Sequence, residues 1–170
     1  MLGEVGYGGL TIEAVAARAG AGKSTIYRHW TGKLELVEDA IRTLRADFVV
    51  PDHGPVRARV AGLLGQVAAK LADSTWSSCL PAIIDAAERD AEVLVIHRRF
   101  SVERRQVMVD LLAEGVAAGE LPGDLDPGLA AECLIGTLMV RRLLLHEPFD
   151  PAAVPALVDQ VLGVAPRPGG

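Results

Sequence analysis

Apolar side chains recur along this chain every three to four positions, and Gly, Pro and Asp interrupt the pattern at short intervals. In LTIEAVAARAG (10–20), Ile12, Val15, Ala16 and Ala19 fall on one helical face, Thr11 can cap, Glu13 sits in the first turn, and Gly20 ends the helix. KSTIYRHW (23–30) is one or two turns in which Ile26 and Trp30 share a face, while Lys23, Thr25, Arg28 and His29 point elsewhere. Two short helices joined by Gly20-Ala21-Gly22 predict a helix-turn-helix.

Further on, Leu34, Val37, Ile41, Leu44 and Phe48 predict a connecting helix that ends by Pro51. Val60, Leu63, Leu64, Val67 and Leu71 form the stripe of the next helix, and LPAIIDAAERD (80–90) reads as a short one with Pro81 in its first turn. A long helix over 91–120 has Val93, Ile96, Phe100, Val107, Leu111 and Leu112 inward and Arg98, Arg99, Arg104 and Arg105 mostly outward. The stretch from Leu129 to Leu145 is apolar nearly all round, so two faces need cover, and Gly136 permits a close backbone approach. A last helix carries Val154, Leu157, Val158, Val161 and Leu162. Two such apolar helices at the C-terminal side look like half of a four-helix interface between two copies; the alternative is an ordinary monomer core.

Composition agrees with an all-α fold. Half of the 170 residues are apolar but only 4% are aromatic, and Ala, Leu and Val dominate. The net charge of −5 argues against nucleic acid only if it is spread evenly. Residues 1–46 carry a net +1, and residues 18–33 hold Arg18, Lys23, Arg28 and Lys33 with no acid. A basic segment on an acidic protein can meet phosphates while the remainder discourages indiscriminate binding. Cys79 and Cys133 fit no metal or disulfide spacing and read as two reduced, buried thiols. No apolar run is long enough to span a bilayer, and a cytoplasmic protein is expected.

Gly22-Lys23-Ser24 raises a second reading, a nucleotide-binding P-loop. That loop needs a preceding strand and a glycine at position 17, where Ala17 stands after a helical pattern. The residues therefore favour the helix-turn-helix over an NTP-binding enzyme, and nothing singles out a hydrolytic Ser, His and acid set.

The run LTIEAVAARAGAGKSTIYRHWTGKLELVEDAI resembles the DNA-binding signature of the tetracycline-repressor (TetR) family of bacterial transcription regulators. The matching positions are Gly6-Tyr7, Leu10-Thr11-Ile12, Ala16, Ala19-Gly20, Thr25-Ile26-Tyr27, His29-Trp30, Lys33 and Leu36. Two departures stand out. The resemblance implies a longer first helix, of which only the last turn, MLGEV, is present; and Ala21-Gly22 replaces a commoner Val-Ser, which leaves Ser24 as the candidate cap.

The resemblance implies an N-terminal helix-turn-helix head, 1–47, a helical regulatory, ligand-binding and dimerisation domain, 48–165, and a tail, 166–170. It implies that Lys23, Ser24, Thr25 and Arg28 lie at or near base edges, and that Thr11, Tyr27, His29 and Lys33 clamp phosphates. It further implies a palindromic double-stranded DNA operator, a homodimer through about 128–163, and a small-molecule effector that releases a repressor from DNA. Candidate effector contacts are Trp76, Cys79, His97, Phe100, Met108 and Met139, and the scarcity of buried polar groups suggests an apolar ligand. His29, His53, His97 and His146 are scattered, so neither a metal nor a cofactor is expected. The competing class is a helical adaptor without DNA activity, which salt-dependent DNA binding would separate from a repressor.

Overall fold

The computed structural model describes residues 1–45, 48–72 and 74–163, with side chains omitted at 44, 45 and 74–76. Among the described residues there are nine α-helices and no strand. They are α1 (Leu2–Gly9), α2 (Ile12–Ala19), α3 (Lys23–His29), α4 (Lys33–Arg45), α5 (Val56–Ala72), α6 (Ser74–Arg89), α7 (Ala91–Ala117), α8 (Pro127–Val140) and α9 (Val154–Leu162). The chain divides into two compact units, Met1–Asp47 with Ser74–Phe100, and Phe48–Asp73 with Ser101–Gly170. The head therefore carries α6 and the first part of α7 with it.

In the first unit, α2 begins where Thr11 Oγ1 accepts a hydrogen bond from the Ala14 amide at 3.1 Å. It ends at Gly20, whose φ of 64° is the left-handed conformation that lets the Ala21 amide reach back to the Ala16 carbonyl at 2.9 Å. Ile12, Ala16 and Ile26 then close a small core that Ala21, Trp30 and Leu36 extend. Trp30 anchors further by donating its indole N–H to Asp39 at 3.3 Å. A second cluster, Ala86, Ala87 and Val93, receives Tyr7 and Leu34. Asp90 turns the chain between α6 and α7 by accepting the amides of Glu92 and Val93. Helix α1, kinked at Gly6, packs on α6 so closely that a Cβ at Gly3 would lie 2.8 Å from the Ser78 carbonyl oxygen.

The second unit buries Val60, Leu63, Leu64 and Leu71 of α5 and Met108, Leu111 and Leu112 of α7. Leu134 and Leu138 of α8 and Val158 and Leu162 of α9 are buried with them. The segment before α5 is tied down by one face of that helix. Gln66 accepts from the Val49 amide at 2.9 Å and donates to its carbonyl at 2.6 Å, and Arg59 Nε donates to the Pro51 carbonyl at 2.8 Å. Asp126 caps α8, accepting from Gly128 and Leu129, and a π-helical turn, Arg141–Leu145, continues it.

Several sequence expectations are corrected. α1 runs past MLGEV to Gly9. α3 has Gly22 as its N-cap with no side-chain cap bond, so Ser24 does not take that role; as an exposed residue inside the first turn its hydroxyl faces outward. α6 starts at Ser74 and continues through Pro81, which removes one backbone bond that burial of Leu80, Ile83, Ala86 and Ala87 outweighs. Val107 is exposed because Met108, one residue on, takes the inward position. Cys133 is exposed on the outer face of α8 and Cys79 half-buried, so neither is the buried thiol expected. The Leu44 side chain and the tail 166–170 fall outside what the structure describes.

Candidate nucleic-acid interface

The recognition candidates arise from α3, a helix too short to be stable alone and so dependent on its anchors. Ile26 is 7% exposed and Trp30 is half-buried, and these two point the rest of the helix outward. Lys23, Ser24, Thr25, Tyr27, Arg28 and His29 are all exposed. The helix has no acid in its first turn and carries Arg28 and His29 in its last. Such a face offers cationic forks, hydroxyls and a methyl group to a groove, the set needed for phosphate grip and base-edge readout. Lys23 also reaches back to Glu13 at 3.7 Å, an exposed pair that steadies the start of α3 on α2 at little cost to its availability. Thr11, exposed at the start of α2, already uses its Oγ as a cap acceptor, which leaves its hydroxyl proton for a phosphate oxygen.

Lys33 is placed differently. It is half-buried, its Nζ donates to the Tyr7 carbonyl at 2.9 Å, and it stands over the Tyr7 ring at 4.1 Å from the centroid. Burial, and then the nearby Asp90 and Glu92 carboxylates, push the Tyr7 hydroxyl above its ordinary range. Around this joint lie further contacts that sequence reading missed. Arg18 forks onto Glu4, with its Nη2 donating to Oε1 at 2.8 Å, and that hydrogen bond holds the Glu4 carboxyl below its usual value. Glu38 accepts from both Arg42 and Arg99. The spacing of Glu38 and Arg42 was a visible helical signal; the reach of Arg99 to Glu38 across 61 positions had none.

The effector candidates do not share one compact unit. Cys79, His97 and Phe100 belong to the unit that bears the head, Met108 and Met139 to the other, and the Trp76 side chain lies outside the described residues. Phe100 and Met108 are buried, whereas Cys79, His97 and Met139 are half-buried.

Residues 1–40 match the family model for bacterial regulatory proteins of the tetR family, and residues 50–161 match that for the tetracyclin repressor-like C-terminal domain. The chain belongs to the TetR family. It is 34% identical over 167 residues to a DNA-binding transcriptional repressor TetR of Mycobacteroides abscessus, covering 96% of this chain and 87% of that protein. Among solved structures it is similar to the TetR family transcription regulator SCO0332, at 30% identity and a TM-score of 0.74, covering 97% and 92% of the two chains. The fatty acid degradation regulator FadR from Bacillus halodurans has the same fold, with a TM-score of 0.80 at 19% identity, covering 95% and 89%. This TetR-family chain is thus a DNA-binding transcription regulator, and the family's members are regulators and not enzymes. No helix among its described residues is long and apolar enough to cross a membrane.

Proposed function

We propose that this regulator is a cytoplasmic repressor that binds a palindromic operator as a homodimer, one α3 in each half-site, and leaves it when a small apolar effector binds. The observation that carries the DNA part is the outward set Lys23, Ser24, Thr25, Tyr27, Arg28 and His29 on a helix fixed by Ile26 and Trp30. Arg28 and Lys23 are assigned to guanine O6 and N7, the Thr25 methyl to thymine, and Tyr27, His29 and Thr11 to phosphates. The repressor sense rests on the similarity to the Mycobacteroides abscessus repressor.

The dimer part is supported by α8. Leu129, Cys133, Gly136, Val140 and Leu144 follow one another at helical spacing on a single face, opposite the buried Ala131, Leu134 and Leu138. Leu129 is 61% exposed and Leu144 is 72% exposed. A Cβ at Gly136 would meet nothing within 4 Å, so the close approach a glycine permits there is left for a second copy. For the effector part, Trp76, Cys79, His97 and Phe100 are candidate contacts in one unit and Met108 and Met139 in the other, and an effector can act only by binding the DNA-free state better.

Selection of bound sequences from randomised duplexes at moderate salt tests this reading. It predicts enrichment of a palindrome with half-sites about one helical turn or more apart, and an Arg28→Ala variant that loses about 1–3 kcal/mol of discrimination at one base pair per half-site. A protein that enriches no duplex would be the adaptor and not the repressor.

A further inference from the structure

We propose that Glu13 is a specificity-determining residue of the head: together with Lys23 it reads one G·C base pair, Lys23 donating to the guanine and Glu13 accepting from the cytosine. This inference rests on the assignment of Lys23 to a guanine in the major groove. Glu13 is the one acidic residue between Glu4 and Glu35, in a stretch otherwise suited to a polyanion. It stands exposed in the first turn of α2, next to the buried Ile12, and its Oε1 lies 3.7 Å from the ammonium of Lys23 at the start of α3. An exposed pair of this kind adds little to stability, and Thr11 already caps the start of α2. A carboxylate beside DNA also repels phosphates, so neither stability nor raw affinity accounts for it.

An ammonium alone is a poor reader of sequence. It is a compact charge with three donors, and any acceptor in the groove satisfies it, the N7 of either purine included. An ionised carboxylate only accepts. Side by side, the two offer a donor next to an acceptor, and a G·C pair presents the complement: the N7 and O6 acceptors of guanine, then the N4 amino donor of cytosine. Adenine in place of that guanine keeps the N7 but turns thymine O4 toward the carboxylate, acceptor against acceptor. A C·G pair sets its amino group against the ammonium. A T·A pair keeps the order, with O4 beside the N6 amino group, but has no N7 for Lys23, which makes it the second choice. Lys23 is also the first residue of α3, the end at which the helix dipole repels a cation, and Glu13 offsets that repulsion and keeps the ammonium beside it.

The test repeats the duplex selection with the wild type, Glu13→Gln and Lys23→Met. Both substitutions fall on exposed side chains, and melting curves verify that each variant is folded. The expected result is one base pair in each half-site at which the wild type prefers guanine to adenine by about tenfold or more. There Glu13→Gln, whose amide can donate to thymine O4, brings adenine within about threefold of guanine. Lys23→Met loses its preference at that same base pair. A Glu13→Gln variant that keeps the wild-type preferences at every position, whether its affinity is unchanged or altered by one common factor, overturns the proposal. So does a change at a base pair that Lys23→Met leaves alone.

A modified operator supplies a second measurement. N4-methylcytosine in that base pair puts a methyl group where the groove-facing amino hydrogen was, while pairing with guanine is kept. The expected loss of affinity is about tenfold for the wild type, with no loss for Glu13→Ala. An equal loss in both proteins, or none in the wild type, overturns the proposal. If the wild type enriches no duplex, or Lys23→Met shifts no base preference, the assignment of the recognition face itself fails and this inference fails with it. A base pair shifted by Lys23→Met and untouched by Glu13→Gln overturns this inference alone.

Discussion

The outer faces of α3 and α8 are both open, yet they are open in opposite ways. On α3 every outward side chain is polar or carries a polar tip, whereas Leu129 and Val140 on α8 and Leu144 on the π-helical turn that continues it are 61%, 46% and 72% exposed and wholly apolar. Water satisfies the first face until a better partner arrives, and binding there is a matter of exchange. On the second face, every square ångström of apolar surface left in water costs free energy, roughly 25 cal/mol per Å², and a contiguous patch of that kind marks an interaction site. A regulator of this design thus presents one face suited to a reversible, salt-sensitive contact and another suited to a lasting one.

The sharpest way to break the comparison lies within α8 and the turn that continues it. Leu138→Ala, on the buried face, is expected to cost about 2–5 kcal/mol in chemical denaturation, through lost burial and the cavity it leaves. Leu144→Ala, on the open face, leaves the stability of a single chain nearly unchanged and weakens self-association instead. Equal losses of stability at both positions would mean that the two faces do not differ as described.

At the head, a smaller effect is expected from the turn that aims α3. Gly20→Ala places a Cβ on a residue with φ of 64°, at a cost of about 1–2 kcal/mol. Because a Cβ there meets no atom within 4 Å, the cost is conformational and not steric. Thermal denaturation should show the loss, and an unchanged melting temperature would show that the turn relaxes freely.

The smallest effect concerns Glu4 and Arg18, both exposed at the surface of the head. The hydrogen bond from Arg18 lowers the Glu4 carboxyl below its ordinary value of 4.5. Its contribution to stability is therefore present above that value and is lost as pH falls through the lowered one. Melting curves of Glu4→Gln and the wild type should differ slightly near neutral pH and converge in strong acid. A difference that grows toward low pH would contradict the sign.

Much of this was legible in the sequence where the determinant is local. Thr11 as a cap, Gly20 as a stop, and Ile26 with Trp30 as anchors depend on neighbours a few positions away, and the structure shows each in that role. The cap of α3 is Gly22 and not Ser24, because both suit a helix start and only the backbone decides between them. Pro81 lies inside α6 and not in its first turn, because local propensity ignores the burial that carries the helix through it. The Lys33–Tyr7 joint joins residues 26 positions apart, and no periodicity encodes such a meeting. Likewise, the uniform apolarity of Leu129–Leu145 announced two faces needing cover but could not say which residues the chain covers itself.

The measurement that tests the account most directly is the mass of the protein in solution and on its operator, by sedimentation, for the wild type and for Leu144→Asp. The account predicts twice the chain mass for the free wild type, two protomers on each palindromic duplex, and dissociation toward single chains in Leu144→Asp, with operator affinity falling alongside. A wild-type protein that sediments as a single chain, or binds the duplex as one, would contradict it.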